Sequence, residues 1–217
     1  MSRVCEVRKM SGQTQHYFSE TPLAGGEARE LKFTCYGFDL RLSTAPGVFS
    51  ATRIDRGTEV LLDHAPLPTG PGTILDLGCG YGPIAIALAA ARRRSRVWAI
   101  DVNDRAIELT RQNAVLNGLG NITACRPEEV PDEIQFDAVY SNPPIRVGKA
   151  TLHAMLLQWL FRLRPGGRGF LVVHKNLGAD SLASWMTSRA LHTTRLSSHG
   201  GYRVLAVDPD HTGRSER

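Results

Sequence analysis

Hydrophobic positions change their spacing along the chain, and from Thr73 onward two spacings alternate. Several short runs are almost continuously apolar and have strand length: TILDLG, RVWAIDV, NITAC, FDAVYSN and GRGFLVVHK. Between and after them lie stretches of helical spacing, PIAIALAAARR, DRAIELTRQNAVLNG, ATLHAMLLQWLFRL and ADSLASWMTSRAL, and then a closing strand, GYRVLAVD. Apolar strands separated by amphipathic helices indicate a parallel sheet covered on both faces. We therefore predict a doubly wound α/β fold.

The first fifty residues follow a different pattern. The segment ARELKFTCYGFDLRLST alternates apolar and polar positions on both sides of Tyr36 and Gly37, which predicts two antiparallel strands around a tight turn. A short helix is predicted from about Asp55 to His64, before a connector rich in Pro and Gly. The predicted divisions are an N-terminal β extension at 1–50, a main domain at 51–210 and a frayed polar tail at 211–217.

Composition and charge set wide bounds. With 217 residues, 42% of them hydrophobic, the chain can form one sizeable core. No apolar run approaches the roughly 18–20 residues of a membrane span, and the N-terminus lacks a signal-peptide core, so we expect a cytoplasmic protein without membrane contact. The net charge of +5 fits an acidic partner such as nucleic acid, although it also serves solubility. The basic run from Ala91 to Arg96 favours a solvated helix end over an RNA contact.

The four cysteines, Cys5, Cys35, Cys79 and Cys125, are scattered and form no Cys-x-x-Cys pair. Such spacing indicates neither a zinc site nor a disulfide framework. We predict that all four are reduced, that Cys79 packs in a core turn, and that the protein holds no metal.

The first strand tip reads DLGCGYGP and begins at Asp76. Its glycines, Gly78, Gly80 and Gly82, allow a sharp turn and a close approach to a ligand, and the alternative is a tight turn that binds nothing. Pro83 takes the third position of a dinucleotide fingerprint, which requires glycine or alanine, so a pyrophosphate is disfavoured. An acid at the start of this loop would repel phosphate and favour an ammonium group.

The second strand tip carries Asp101. A carboxylate at this point can accept both hydroxyls of a ribose. The alternative is a helix cap, a role that Asn103 or Asp104 can fill. The two tips together predict an adenosine-like nucleoside joined to a cationic, amino-acid-like tail.

The third tip reads VYSNPPI, and it leads to a family. Two prolines stop a central strand at Ser141 or Asn142, because proline brings no N–H to the ladder. The order DLGCGYG, AIDVN, SNPP resembles S-adenosylmethionine-dependent methyltransferases that act on exocyclic or amide nitrogens. The flanking segments resemble the small methyltransferase domain of ribosomal RNA guanine-N2 methyltransferases, in its single-domain form. The resemblance extends from about His16 to Asp208 and is carried by HYFSE, TAPGVFS, IDRGTEVLL, QNAVLNGL, SNPPIRVGKATLH and GYRVLAV.

The resemblance implies a Rossmann-like, mainly parallel seven-stranded sheet with S-adenosylmethionine as cofactor. It implies methyl transfer to the N2 amine of a guanine in small-subunit (16S) ribosomal RNA, with that RNA or the small subunit as partner. The oligomeric state is left open, with a monomer as one option. Residues carried over as cofactor-binding are Asp76, Gly78, Gly80, Tyr81, Gly82, Asp101, Val102 and Asn142.

The chemistry explains why asparagine and prolines stand together. An exocyclic amine is a poor nucleophile because its lone pair is delocalised into the ring. Two acceptors that hold its N–H bonds redirect that lone pair, and the Asn142 side-chain oxygen and the Pro143 carbonyl can supply them. We therefore predict Asn142, Pro143 and Pro144 as catalytic, the prolines by keeping the backbone rigid.

Substrate contacts are predicted around this tip. Many relatives carry an aromatic residue where Ile145 stands, so stacking on the base gives way to apolar contact, with Phe49 on the other side. Arg146 and Lys149 could meet a phosphate backbone or lie on the surface at a helix start.

Two other functions stay open. The first is N-methylation of a protein glutamine or a DNA adenine, which the missing aromatic residue and the whole-chain resemblance disfavour. The second is a non-catalytic RNA-binding module, which intact Asp76, Asp101 and Asn142 disfavour.

Overall fold

The computed structural model describes residues 4–8, 29–48, 50 and 52–211, with only the backbone given at 6–8 and 146. The strands are β1 (Cys5–Arg8), β2 (Arg29–Cys35), β3 (Phe38–Thr44), β4 (Thr73–Leu77), β5 (Arg96–Ile100), β6 (Ile122–Cys125), β7 (Phe136–Ser141), β8 (Leu163–His174), β9 (Leu191–His199) and β10 (Tyr202–Pro209). The helices are α1 (Arg56–His64), α2 (Pro83–Ala91), α3 (Asp104–Leu116), α4 (Lys149–Leu160) and α5 (Ala179–Thr187).

Seven strands form the central sheet in the order β6-β5-β4-β7-β8-β10-β9. The strands from β6 to β8 run parallel, and β10 pairs antiparallel with both β8 and β9. Successive residues of a strand face opposite sides, so Ile74 joins the core under α1, α2 and α3, while Leu75 joins the core under α4 and α5. The predicted doubly wound, mainly parallel seven-stranded sheet is confirmed.

The N-terminal strands form a second, antiparallel sheet in the order β1-β2-β3. The turn between β2 and β3 falls on Tyr36 and Gly37, whose φ angles of 52° and 81° suit a tight hairpin. The predicted strand pair is confirmed, and β1 adds a strand that the sequence pattern did not predict. The domain boundary at residue 50 stays a prediction.

Helix α3 binds the outer edge of β3 through two side-chain amides. Asn117 accepts from the N–H of Arg41 and donates to its carbonyl, at 2.9 and 2.6 Å. Asn113 does the same for Ser43, at 2.6 and 2.9 Å. Asn117 is the C-cap of α3, and Gly118 follows with a φ of 60°, which suits a left-handed helix end.

One prediction about the cysteines is wrong. Cys5 and Cys35 face each other across β1 and β2, with their Cα atoms 4.2 Å apart, and form a disulfide. The antiparallel register brings together two residues that lie 30 positions apart, which their spacing in the sequence does not show. Cys79 and Cys125 are free and buried, and Cys79 lies in a core turn as predicted.

Two kinds of feature are absent from the described part of the chain. Among these residues no helix is long and apolar enough to cross a membrane. They also contain no group of three or more His, Cys, Asp or Glu side chains placed to hold a metal ion.

Candidate active site

The three predicted strand tips meet at one edge of the sheet. Strand β4 lies between β5 and β7, so their carboxyl ends are neighbours. The N–H groups of Gly78 and Cys79 both donate to the carbonyl of Ile100 at the end of β5, at 2.9 and 3.0 Å. A Cβ placed on Gly78 would lie 3.8 Å from Pro144 Cδ, so the first and third tips also lie side by side.

The glycines of the first tip give the loop its shape. Gly78, Gly80 and Gly82 have φ angles of 76°, 57° and 89°, a region that other residues rarely adopt. A Cβ on Gly82 would also come within 2.8 Å of Thr110 Oγ1, whereas one on Gly80 would meet no atom of the described residues within 4 Å. The side of the loop at Gly80 is therefore open to a ligand.

Tyr81 lies in the same loop, but its ring is buried. Its hydroxyl donates to the carbonyl of Arg53 at 3.3 Å, and its carbonyl accepts from Asn113 at 2.8 Å. The phenol thus ties the loop to the segment before α1. A cofactor contact at this residue would come from its backbone.

Asp76 occupies the interior rather than the cleft. Its side chain is fully buried, Oδ2 accepts the N–H of Ala85 in the first turn of α2 at 2.9 Å, and Oδ1 has no partner among the described residues. Burial raises the pKa of the Asp76 carboxyl to about 8; the Ala85 bond opposes this rise and the charge of Asp101 adds to it. In this position Oδ2 of the carboxyl holds the start of α2, and the predicted contact of Asp76 with an ammonium group stays a prediction.

The raised pKa gives a testable pH dependence. Because the folded protein binds a proton at Asp76 more tightly than the unfolded chain does, the stability that this group contributes is lost as pH rises from about 4 to about 8. Asp76→Asn imitates the protonated acid, so this loss should be missing. The free energy of unfolding is measured by urea titration of ligand-free protein. Between pH 4 and pH 8 it should decrease more in the parent than in Asp76→Asn, by a difference of more than about 1 kcal/mol. Parallel pH curves would contradict the buried, proton-binding state of Asp76.

Asp101 lies at the second strand tip, and each of its carboxylate oxygens accepts one hydrogen bond. Oδ2 accepts the N–H of Gly80 and Oδ1 accepts the N–H of Asn103, each at 2.9 Å. Each oxygen keeps a further lone pair, and the side chain is partly exposed. Asn103 caps α3 by accepting from Arg105, so the alternative role considered for Asp101 is filled by its neighbour. Val102 follows with 73% of its surface exposed, which suits contact with a flat ring.

Asn142 ends the third tip, and its amide is held from one side. The Nδ2 group donates to Asp55 Oδ2 at 2.8 Å and to Thr58 Oγ1 at 3.2 Å. Oδ1 receives no hydrogen bond from the described residues. The sequence placed Asp55 at the start of a helix, but it gave no sign of a bond between residues 87 positions apart.

The backbone after Asn142 is also fixed. The Pro143 carbonyl accepts the N–H of Ile145 at 2.9 Å and keeps one lone pair. The hydroxyl of Ser141 donates to the carbonyl of Leu77 at 2.7 Å, which joins the ends of β7 and β4. Ile145 packs partly against the core under α4, so part of its side chain is turned away from a substrate.

The remaining predicted substrate residues are less defined. Lys149 is exposed at the first position of α4. Arg146 lies in a 3-10 turn at Ile145–Val147, and its side chain is outside the described part, as is the whole of Phe49.

An aromatic residue that the sequence analysis did not assign borders the site. Tyr202, the first residue of β10, pairs with His174 at the end of β8, and their rings meet edge to face at 4.9 Å. A Cβ on Gly57 would lie 3.0 Å from Tyr202 Cε1. Burial, with the charge of Asp55, raises the pKa of Tyr202. Its place at the start of a strand antiparallel to β8 is the signal that could have identified it.

Comparisons with known proteins agree with this geometry. The model of the methyltransferase small domain family matches residues 39–206. The chain belongs to the small-domain methyltransferase family. Its relatives include the uncharacterized protein YbxB of Bacillus subtilis, which is 35% identical over 88% of this chain and 97% of its own length.

Named relatives of this methyltransferase act on ribosomal RNA. The small subunit methyltransferase C of Aeromonas hydrophila is 38% identical over 57% of the chain and 36% of its own length. The large subunit methyltransferase G of Shewanella loihica is 33% identical over 73% and 44%. The chain thus spans less than half the length of these two relatives.

A solved structure extends the similarity to three dimensions. It is the T. thermophilus 16S rRNA N2 methyltransferase RsmC in complex with AdoMet and guanosine, with a TM-score of 0.75 and 25% identity over 88% of this chain and 53% of that one. The predicted family and the predicted cofactor, S-adenosylmethionine, are confirmed.

The residues of the methyltransferase fit that cofactor. The open side of the loop at Gly80 could receive it, the free lone pairs of Asp101 could accept two ribose hydroxyls, and the exposed side chain of Val102 could cover the adenine ring. The individual roles stay predictions.

Proposed function

We propose that this methyltransferase transfers a methyl group to the exocyclic N2 amine of a guanine in small-subunit ribosomal RNA. The observation that supports it best is the Asn142 amide, whose NH₂ group is bound by Asp55 and Thr58 while its oxygen is left to accept. The similarity to a guanosine-bound N2 methyltransferase over 88% of the chain supports the base.

In the proposed reaction, residues of the third strand tip orient the substrate amine. Asn142 Oδ1 and the remaining lone pair of the Pro143 carbonyl can each accept one N–H bond of the base. With both N–H bonds held, the nitrogen becomes pyramidal and its lone pair is no longer delocalised into the ring. When bound, S-adenosylmethionine supplies an electrophilic methyl group. Two acceptors also stabilise the positive charge that develops on the amine. The methylated amine is acidic and loses one proton to solvent, so no strong base is required.

The substrate is proposed to be ribosomal RNA, which fits a net charge of +5 and the predicted cytoplasmic location. Relatives act on either ribosomal subunit, and the small subunit is favoured by the structural similarity to RsmC. Methylation of a protein glutamine or a DNA adenine is the competing activity, since those groups also present N–H bonds to an Asn-Pro-Pro tip.

A radioactive methyl group tests which acceptor is methylated. Tritiated methyl from S-adenosylmethionine is expected to enter 16S ribosomal RNA and to be recovered as N2-methylguanosine after digestion. Naked RNA and isolated subunits, each from cells that lack the gene, serve as substrates, and an Asn142→Ala variant is the control. Label recovered in the large-subunit RNA, in a methylated adenine or in protein would contradict the proposed acceptor.

A further inference from the structure

One carboxylate oxygen joins the start of α1 to the third strand tip. Asp55 is the N-cap of α1, and its Oδ2 accepts the N–H groups of Gly57 at 2.7 Å and Thr58 at 3.3 Å. The same oxygen accepts from Asn142 Nδ2 at 2.8 Å. A helix cap needs only the first two bonds. The third is additional, and it reaches the residue that the proposed chemistry depends on.

A carboxylate selects one orientation of an amide. Asn142 could turn its side chain by half a rotation, which would exchange Oδ1 and Nδ2 with little change in shape. Asp55 Oδ2 accepts three N–H groups, so the Asn142 oxygen cannot face it. The NH₂ group therefore points toward α1, and Oδ1 points the other way.

Gly57 provides a second observation. A Cβ at this position would lie 2.8 Å from Asp55 Oδ2, 3.0 Å from Tyr202 Cε1 and 3.3 Å from Asn142 Nδ2. Gly57 lies within α1 and does not have a positive φ, so its backbone conformation is open to any residue. Glycine in a helix costs about 0.5–1 kcal/mol relative to alanine. The packing of Asp55, Tyr202 and Asn142 around this position explains why a side chain is absent there.

We propose that Asp55 is a positioning residue for methyl transfer, which fixes the Asn142 amide with its oxygen toward the substrate amine. This inference rests on the proposed function. The negative charge of Asp55 also polarises the amide that it holds, which makes Asn142 Oδ1 a stronger acceptor. Thr58, whose hydroxyl lies 3.2 Å from Asn142 Nδ2, completes the same side of the amide.

Two variants at one position separate capping from positioning. Asp55→Ser keeps a good helix cap, but its hydroxyl is too short to reach Asn142. Asp55→Asn keeps an oxygen that the N–H groups of Gly57 and Thr58 draw into the same place, so it retains all three bonds and loses only the charge. The two variants should therefore melt at similar temperatures and bind S-adenosylmethionine alike.

The rate constant of single-turnover methyl transfer at saturating cofactor should differ between Asp55→Ser and Asp55→Asn. We expect Asp55→Ser to lower the rate constant about 10- to 100-fold, because the acceptor is no longer held in place, and Asp55→Asn to stay within about threefold of the parent. In an Asn142→Ala background, Asp55→Ser should have no further effect on the rate. The inference would be overturned if Asp55→Ser and Asp55→Asn lowered the rate constant equally. It would also be overturned if Asp55→Ser lowered the rate constant as much in the Asn142→Ala background, or if its loss of rate were matched by weaker cofactor binding.

A readout that needs no activity keeps the inference apart from the proposed function. The Asn142 side-chain amide protons, observed by NMR in labelled protein, should exchange slowly in the parent and in Asp55→Asn, and rapidly in Asp55→Ser. Unchanged exchange in Asp55→Ser would overturn the positioning role. If the parent transfers no methyl group to RNA but the exchange pattern holds, the proposed function fails while the contact between Asp55 and Asn142 stands.

Discussion

Asn142→Ala is expected to lower the rate constant for methyl transfer by about 10²–10³, the loss that follows removal of one preorganised hydrogen-bonding partner of a developing charge. Asn142 is only partly buried and lies after the last residue of β7, so the variant should melt within a few degrees of the parent. Cofactor affinity should change little. Single-turnover assays with saturating S-adenosylmethionine measure the chemical step directly.

The companion Asn142→Asp gives a sharper test. From the sequence alone, aspartate should retain more activity than alanine, because it keeps an acceptor and adds a charge that stabilises the cationic amine. In the structure, however, Asn142 Nδ2 lies 2.8 Å from Asp55 Oδ2, so aspartate would place two carboxylates against each other. Repulsion between the two carboxylates then favours the uptake of one shared proton. We therefore expect Asn142→Asp to be poorly active at pH 8 and to recover as pH falls.

Two outcomes would contradict the assigned role. If alanine at position 142 transfers methyl as fast as the parent, Asn142 does not orient the amine. If Asn142→Asp is as active as the parent at pH 8, its partner Asp55 is not placed as described.

Asp101→Ala is expected to weaken S-adenosylmethionine binding by roughly 2–4 kcal/mol, since it removes two charge-assisted hydrogen bonds to the ribose. The substitution also frees the N–H of Gly80, which loosens the loop at its open side. Calorimetric titration measures the affinity, and circular dichroism checks that the variant is folded.

Asp104→Ala is the matched control for this experiment. Its carboxylate lies three residues further along, is 75% exposed, and pairs with Arg126 at the surface. Such pairs contribute little to stability, so both fold and cofactor affinity should be nearly unchanged. Unchanged affinity in a folded Asp101→Ala variant would contradict the ribose assignment.

The sequence predicted those features that depend on local spacing. Apolar runs with intervening helical stretches are enough to predict a parallel sheet, and parallel strands place their carboxyl ends together, so Asp101 and Asn142 could be assigned to one edge. Strand alternation also accounts for the burial of Asp76. It shares the parity of Ile74, whose side chain lies in the core under α2, and so it points to the same side.

The features that the sequence did not predict are pairs of side chains distant along the chain. The bond between Asp55 and Asn142, the ring of Tyr202 beside Gly57 and the disulfide between Cys5 and Cys35 each depend on how separate elements pack. A single sequence has no period or motif that reports such contacts. They follow only when the sheet and its helices are assembled.

The two asparagines of α3 give the outer edge of β3 an unusual neighbour. Residues four apart on a helix are separated by about 6 Å, close to the roughly 6.8 Å between alternate residues of a strand. Asn113 and Asn117 can therefore meet Ser43 and Arg41 in turn, each with one donated and one accepted bond, as the peptide groups of a neighbouring strand would. Helix α3 thus acts as a surrogate strand. An edge that would otherwise offer unpaired peptide groups to a second polypeptide is closed at these residues against sheet-to-sheet aggregation.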